Sequence, residues 1–249
     1  MPYDIYSDID NYSTDPDRYI AVPFVPSDEA VVEHMLALAN VGPNDLLYDL
    51  GSGDGRIVVT AAKDCNARGI GIDIDPVQIA DAMEYAGWSG VECQVDFIED
   101  NLFTADFSAA TVVTLYLLQS INVQLRPRLL SELRPGTRIV SHAFDMGDWQ
   151  ADEWIKIGGI TIYKWIVPAK VEGDWDWMDV NGATWRVELH QKYQEVTGTA
   201  WLEDKEVRIE SADLSGDKLH LTLQDGENGP QHNFALKFST GGLVSVRQS

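Results

Sequence analysis

The sequence is poor in basic residues. Its 249 residues include 18 Lys and Arg against 40 Asp and Glu, which gives a formal net charge of −22 at pH 7. A surface of this sign repels phosphate at long range, so no nucleic acid partner is expected. The acidic charge would suit the steering of a cationic substrate, but solubility or a salty habitat is the favoured explanation.

Long apolar runs are missing, and cysteines are scarce. No apolar run approaches the roughly 20 residues that span a bilayer, so no transmembrane segment is expected. Residues 1–21 form an acidic, tyrosine-rich segment without the cationic start and apolar stretch of a signal peptide. Cys65 and Cys93 are predicted to be reduced core thiols, and the five scattered histidines predict no metal site.

Residues up to about Pro168 alternate short apolar runs with segments of helical periodicity. Strands are predicted at Leu46–Leu50, Gly69–Asp73, Val91–Ile98, Thr111–Leu117 and Thr137–His142. Helices are predicted between them, at Arg56–Asp64, Pro76–Ala86 and Pro127–Leu133. The alternation predicts an α/β fold with a doubly wound, Rossmann-like, mainly parallel sheet.

Local signals add three boundaries. Ser27 is predicted to cap an earlier helix whose first turn is acidic, where negative charge suits the helix dipole. Pro127 is predicted to lie in a first helical turn, since proline is tolerated there. The pair Gly158–Gly159 joins two apolar runs and predicts a hairpin at the sheet edge.

The chain after Pro168 has a different periodicity. Apolar and polar residues alternate with period two, as at Trp185–His190, and turn signals separate the runs. This pattern predicts a small antiparallel β-sheet or barrel. The predicted domains are residues 1–21, an acidic segment; 22–168, the α/β domain; and 169–249, the β domain. Trp175, Trp177 and Trp185 are predicted to form a small core, with an exposed binding face as the alternative.

The stretch "LLYDLGSGDGRIVV" places three glycines between a predicted strand and a predicted helix. The dinucleotide fingerprint needs a further glycine where Arg56 stands, and a phosphate-binding loop needs a lysine that this loop lacks. Asp49 and Asp54 favour a ligand that carries an ammonium group. S-adenosylmethionine (SAM) carries a sulfonium and an ammonium group and no phosphate. Asp73 ends the next strand, where a carboxylate can bind ribose hydroxyls.

Several segments together resemble one family. They are "VPFVPS", "DLGSGDGRIV", "GIDIDP", "NLF", "TVVTLYLL" and "LRPRLLSELRPGTRIVSHAFDMGDW". This set resembles the class I, seven-β-strand SAM-dependent methyltransferases. Within them it is similar to bacterial relatives of the mitochondrial lysine methyltransferases that modify the adenine nucleotide translocase and the c-ring protein of ATP synthase. The resemblance covers roughly Val22–Trp149 and is specific for SAM more than for the methyl acceptor.

The resemblance implies a set of SAM contacts, with S-adenosyl-L-homocysteine as the product. Gly51, Ser52 and Gly53 would line the methionine part of SAM, with Asp49 near its amine. Asp73, with Ile74 beside it, would hold the ribose. Asn101 and Leu102 would flank the adenine. The segment Phe24–Pro26, including Pro26 itself, resembles the part of these enzymes that closes over SAM.

The acceptor site is expected at the end of the fourth strand. Tyr116 would face the methyl group, with Phe24 and Phe144 completing an aromatic wall that lowers the pKa of a lysine amine by desolvation. Asp145 is a candidate acceptor-site acid. Three residues depart from the expected family pattern: Gln119 replaces a proline, Phe24 a tyrosine and Ala143 an acid. No Asn-Pro-Pro-Tyr sequence follows the fourth strand.

The leading hypothesis is a SAM-dependent methyltransferase that acts on an amine, in particular a protein lysine. One alternative is a small-molecule methyltransferase whose β domain covers the acceptor site. Another is a SAM-binding module without catalysis that engages a partner through the β domain. SAM availability favours the cytoplasm, although the sequence also allows an exported, processed form.

Overall fold

The computed structural model describes residues 26–227 and 229–248. The predicted acidic segment 1–21 and the predicted site residue Phe24 lie outside the described residues. The chain divides into two compact units. The first contains residues up to Ser131 together with Ile139–Trp165, and the second contains Glu132–Arg138 together with Ile166–Ser249.

A seven-stranded, mostly parallel sheet forms the centre of the first unit. Its spatial order is β3-β2-β1-β4-β5-β7-β6. The strands are β1 (Leu46–Leu50), β2 (Arg68–Asp73), β3 (Val95–Glu99), β4 (Val112–Leu115), β5 (Arg138–His142), β6 (Glu153–Ile157) and β7 (Ile160–Ile166). Strand β1 pairs in parallel with both β2 and β4. The chain therefore reverses its direction of winding between β1 and β4, which is where open α/β sheets bind ligands.

The edge hairpin forms as predicted, and β3 is shorter than predicted. The predicted hairpin at Gly158–Gly159 is confirmed, because β6 and β7 pair antiparallel and β6 is an edge strand. Strand β3 begins at Val95, four residues after the predicted start at Val91. Residues 91–94 form a turn instead, closed by a 2.8 Å hydrogen bond from Gln94 N–H to the Val91 carbonyl.

The helices of this unit are α1 (Glu29–Leu38), α2 (Arg56–Cys65), α3 (Pro76–Ser89) and α4 (Gln119–Glu132). The prediction that Ser27 caps α1 is wrong. Asp28 is the cap, and its Oδ1 accepts a 2.9 Å hydrogen bond from Ala30 N–H. Ser27 is buried, and its hydroxyl lies 2.9 Å from His142 Nδ1.

The predicted start of α4 at Pro127 is also wrong, since the helix begins eight residues earlier and contains Pro127. An internal proline costs about 3 kcal/mol. The longer helix buries Ile121, Leu125 and Leu129 on one face. Burial of such side chains contributes about 1.5–3 kcal/mol each, so packing outweighs the proline penalty.

The core of the first unit joins α1, α2 and α3 to the parallel strands. Its members include Val32, Met35, Leu47, Val58 and Val112, all of them fully or almost fully buried. Both cysteines are free. Cys65 packs against this core, but Cys93 is exposed, so its predicted core position is wrong.

The second unit contains a seven-stranded antiparallel meander. Its strands follow chain order: β8 (Gly173–Met178), β9 (Thr184–Lys192), β10 (Glu195–Leu202), β11 (Lys205–Ser215), β12 (Lys218–Gln224), β13 (Gln231–Ser239) and β14 (Gly242–Gln248). The predicted antiparallel sheet is therefore present.

The tryptophans lie in the core of this sheet, as predicted. Trp185 is fully buried and packs against Phe234, with ring centroids 5.0 Å apart. Trp177 also packs against Phe234, and Trp175 packs against Phe238. These rings form a core, so the alternative of an exposed aromatic binding face is wrong.

Among the residues that the structure describes, no helix has the length and apolar character needed to cross a membrane.

Candidate active site

The glycine-rich loop after β1 is fastened to the end of β2. The N–H groups of Gly51 and Ser52 both donate to the Ile72 carbonyl, at 2.8 and 3.0 Å. Gly53 N–H donates to Asp73 Oδ2 at 2.8 Å. Two predicted site segments, the loop and the acid at the end of β2, thus lie together at the carboxyl edge of the sheet.

Gly55 allows α2 to pack closely at its first turn. It is the N-cap of α2 and has a left-handed backbone, with φ of 77°. A Cβ at this position would lie 2.6 Å from Phe97 Cζ and 2.8 Å from Ala82 Cβ. Both the backbone conformation and the lack of space require glycine. The third glycine of the loop therefore serves packing.

Asp54 is paired with Arg56. Arg56 Nη2 lies 2.6 Å from Asp54 Oδ2, and Arg56 Nε lies 3.0 Å from Asp54 Oδ1. Arg56 Nη1 also donates to the Ser27 carbonyl at 2.6 Å. The carboxylate of Asp54 thus already has a cationic partner, so of the two acids that favour an ammonium-bearing ligand, Asp49 is the one without such a partner among the described residues.

Asp49 differs, because it is buried and has no basic partner among the described residues. It lies near the end of β1 beside Thr114 of β4, whose Oγ1 donates to Asp49 Oδ1 at 2.8 Å. Burial raises the pKa of Asp49 to about 7; the Thr114 hydrogen bond opposes this shift, and the charges of Asp73 and Asp54 add to it. A cation beside this carboxylate would favour its ionised form.

A second polar group in this region lacks a partner. The Ser52 hydroxyl oxygen is buried and makes no hydrogen bond within the described residues. Gly71 leaves space for it, since a Cβ there would lie 2.7 Å from Ser52 Oγ. Buried polar groups normally have partners, so an unpaired hydroxyl in the loop that follows Asp49 fits a polar ligand.

Asp73 and Asn101 both fix backbone at the carboxyl edge. Asp73 Oδ1 accepts from Asp75 N–H at 3.0 Å, and each carboxylate oxygen has room for a further donor. Asn101 follows β3, and its Oδ1 accepts from Phe103 N–H at 2.9 Å. The neighbouring Leu102 is half-buried and Ile74 is exposed. Pro26 is exposed just before α1.

Tyr116 follows β4 directly and stacks on His142, the last residue of β5. Their ring centroids are 3.7 Å apart and their planes differ by 16°. His142 is 3% exposed, and its Nδ1 lies 2.9 Å from Ser27 Oγ. Burial lowers the pKa of His142 to about 4, so the imidazole is neutral at neutral pH. The sequence patterns did not identify His142 as a site residue. Its position at the carboxyl end of a predicted strand could have done so, because the carboxyl ends of parallel strands line the ligand-binding edge of such a sheet.

Asp145 lies in the loop after β5 and is held by hydrogen bonds. Its Oδ1 accepts from the Gln119 side-chain amide and, at 2.9 Å, from Gly147 N–H. Two residues that the sequence singles out separately, Gln119 and Asp145, are therefore partners. Ala143 has a left-handed backbone, with φ of 66°, at the turn that begins this loop. The half-buried Phe144 follows it.

Asn122 is a further buried polar residue that sequence reasoning missed. It is fully buried on α4, and its Nδ2 donates to Ser141 Oγ at 3.2 Å and to the carbonyls of Phe144 and Asp145 at 3.2 and 3.3 Å. It fixes the backbone of the loop that carries Asp145.

Known methyltransferases are similar to part of this chain. The profile of the ANTKMT methyltransferase domain matches residues 49–153. A protein-lysine N-methyltransferase from Saccharolobus islandicus is 43% identical over 151 residues, which are 59% of this chain and 94% of that protein. The mouse adenine nucleotide translocase lysine N-methyltransferase is 33% identical over 132 residues, which are 53% of this chain and 57% of that protein.

A solved structure matches as well. The structure described as an RNA methyltransferase from Salinibacter ruber in complex with S-adenosyl-L-homocysteine is 52% identical, with a TM-score of 0.58, and the match covers 59% of this chain and 96% of that one. The proteins from S. islandicus and S. ruber, which this chain matches over almost their whole length, are both methyltransferases. Together with the profile match, they show that this chain belongs to the ANTKMT-type family of SAM-dependent methyltransferases.

Proposed function

We propose that this methyltransferase transfers a methyl group from SAM to the side-chain amine of a protein lysine. The observation that best supports the cofactor site is the buried carboxylate of Asp49. This carboxylate lies at the switch point between β1 and β4 and has no basic partner among the described residues. The lysine acceptor is supported by the names of the relatives from S. islandicus and mouse. The mouse relative is covered over 57% of its length, so its acceptor supports the class of substrate and not a particular protein.

The residues at the carboxyl edge suit SAM in charge and in hydrogen bonding. Asp49 would bind the ammonium group, and the unpaired Ser52 hydroxyl would bond to the methionine part. Asp73 retains acceptor capacity for ribose hydroxyls. We propose that the full set of cofactor contacts is the predicted one: Pro26, Asp49, Gly51, Ser52, Gly53, Asp73, Ile74, Asn101 and Leu102.

When bound, SAM supplies an electrophilic methyl group on a sulfonium sulfur. The work left to the protein is to position the amine and to exclude water, since the displacement needs no dedicated acid. We propose that Tyr116 forms one wall of the acceptor site, together with Phe24 and Phe144. An apolar wall disfavours the lysine ammonium and so favours the neutral amine that can attack.

Asp145 is proposed to bind the acceptor segment. Its carboxylate is held by Gln119 and by Gly147 N–H, so its position is fixed before an acceptor arrives. A cationic segment next to the target lysine would complement this charge. Gln119 therefore need not mark a loss of the acceptor site, because it orients the acid.

We infer that the finer architecture is that of a class I methyltransferase domain, residues 22–168, followed by a small β domain, residues 169–249. The mostly parallel sheet and the separate antiparallel meander support this division. The two relatives that are covered almost completely match 59% of this chain, so a large part of this chain lies outside what those two proteins share with it.

An RNA acceptor is the competing class, since one relative is described as an RNA methyltransferase. The net charge of −22 favours a protein over an RNA, because RNA binding draws on a basic surface. A small-molecule acceptor would leave label in neither macromolecule. One labelling experiment therefore distinguishes the three.

The test is incubation of the protein with methyl-labelled SAM and a cell lysate, followed by separation of protein, RNA and small molecules. We expect label in protein that survives base and is released as methyl-lysine on hydrolysis. Label in RNA or in small molecules alone would overturn the lysine proposal. The Asp49→Ala variant, which lacks the proposed ammonium contact, is the control for background labelling.

A further inference from the structure

Ser27 is held in place from two sides, although it precedes the first helix. The residue is 3% exposed. Its hydroxyl lies 2.9 Å from His142 Nδ1, and its carbonyl accepts a 2.6 Å hydrogen bond from Arg56 Nη1. A serine that merely began a helix would need neither contact, and the cap of α1 is Asp28.

The carbonyl contact leads to the glycine-rich loop. Arg56 bonds through both Nε and Nη2 to Asp54, which stands in that loop between Gly53 and Gly55. A guanidinium that binds a carboxylate with two nitrogens has a defined orientation. The Ser27 backbone is thus tied to the loop that carries the proposed methionine contacts.

The hydroxyl contact leads to Tyr116. His142 makes the Ser27 hydrogen bond with one ring edge and presents a ring face to Tyr116, with the ring centroids 3.7 Å apart. The other ring nitrogen, Nε2, is buried without a hydrogen bond among the described residues. The Ser27 hydroxyl is therefore the group that fixes the rotation of this imidazole, and the imidazole supports the Tyr116 ring.

We propose that Ser27 and His142 are positioning residues that join the glycine-rich loop to Tyr116. Through Arg56 the join keeps the loop in place for SAM, and through His142 it keeps the Tyr116 ring in place for the methyl acceptor. This inference rests on the proposed function, because Tyr116 acts on the acceptor only if methyl transfer occurs beside it. Ser27 and His142 act through Arg56 and Tyr116 and do not themselves contact the reacting atoms.

The two branches predict different kinetic losses. His142→Phe keeps an aromatic ring beside Tyr116 but removes the hydrogen bond to Ser27. We expect Ser27→Ala and His142→Phe each to lower the rate at saturating SAM by about tenfold or more, because small misplacements of a positioning group are costly in rate. We expect the Kd for SAM, measured by calorimetry, to change by less than about threefold. The double variant should lose no more than either single variant.

Variants of the other branch should show the opposite pattern. Arg56→Ala releases the loop and should raise the Kd for SAM by about tenfold or more, since a charged hydrogen-bond partner is lost. Arg56→Lys keeps the charge without the two-nitrogen contact and should recover only part of this affinity.

Lys164→Met is the matched control. Lys164 ties the other end of α1 to the sheet, through the Leu38 carbonyl at 3.2 Å and Glu153 at 2.5 Å. The Lys164→Met substitution should lower Tm without altering the Kd for SAM or the rate at saturating SAM. If Ser27→Ala and His142→Phe lower Tm as this control does and leave the saturating rate unchanged, the proposed positioning role is wrong.

A readout independent of activity separates this inference from the proposed function. The Tyr116 ring signal in a spectrum of ring-labelled tyrosine is assigned by its loss in Tyr116→Phe. We expect Ser27→Ala to shift or broaden that signal, and Lys164→Met to leave it unchanged. An unchanged signal in Ser27→Ala would overturn the inference. Absence of any labelled product from the unmodified protein would count against the proposed function alone.

Discussion

The buried carboxylate of Asp49 makes both stability and SAM affinity depend on pH. Its pKa is raised from 3.8 to about 7 by burial. Between these values the folded protein holds a proton on Asp49 that the unfolded chain releases. The contribution of Asp49 to stability therefore falls as pH rises from about 4 to about 7. A shift of about three units corresponds to a penalty of roughly 4 kcal/mol above pH 7.

Asp49→Asn isolates this penalty. The amide is nearly isosteric, and its oxygen can still accept from Thr114 Oγ1, but it carries no charge. We expect the variant without SAM to be more stable than the unmodified protein at pH 7.5, by up to roughly 4 kcal/mol, and the difference to disappear near pH 4. Urea unfolding at a series of pH values measures this difference.

SAM binding should show the opposite dependence. If the ammonium of SAM binds the ionised form of Asp49, the apparent affinity follows the ionised fraction, which rises about 15-fold from pH 5.5 to pH 7. An α-amino group stays charged over this range, so SAM itself titrates little. Calorimetry in buffers of different ionisation enthalpy should detect proton release on binding. A SAM affinity that is independent of pH, or equal affinity in Asp49→Asn, would refute the reasoning.

Three other predictions concern packing, a histidine and surface charge. Gly55→Ala should destabilise the protein by about 2–4 kcal/mol in urea unfolding, because Phe97 occupies the space that the new Cβ would need. Gly90 has a similar φ and open space around it, so Gly90→Ala should cost only about 1 kcal/mol. Equal losses of stability in the two variants would contradict the packing role of Gly55. Burial lowers the pKa of His142 to about 4, so this residue contributes up to about 3 kcal/mol of stability that is gained as pH rises from 4 to 6.5, opposite in sign to the contribution of Asp49. Over this range the free energy of unfolding of the unmodified protein should therefore gain up to about 3 kcal/mol relative to that of His142→Phe. If the net charge of −22 attracts a lysine-rich acceptor protein, the rate of its methylation should fall as the salt concentration rises, because salt screens this attraction. A salt-independent rate would mean that the charge serves solubility and not substrate attraction.

Local patterns are sufficient to predict the carboxyl edge of the sheet. The glycine-rich loop and Asp73 meet as expected, because parallel strands bring their carboxyl ends to one edge. The hairpin at Gly158–Gly159 also depends on local turn chemistry. Such features are encoded within a few residues, so one sequence is enough to recognise them.

Contacts between distant residues cannot be predicted in this way. Serine is a residue type that often caps helices, but the Ser27 hydroxyl pairs with His142, which is 115 residues away in the sequence. Helix α4 continues through Pro127 because burial of its apolar face outweighs the local preference. Asp54 resembles a ligand group in the sequence, since nothing in the local pattern shows that Arg56 turns back onto it.

The most direct test of the central claim is the Kd for SAM of Asp73→Ala, measured by calorimetry at pH 7. We expect this Kd to rise by at least about tenfold, because two ribose hydroxyls and the glycine-rich loop lose a charged acceptor. Asp96→Ala, which alters an exposed acid of the same sheet, should bind SAM like the unmodified protein. Unchanged affinity in Asp73→Ala would contradict the placement of SAM at this edge of the sheet.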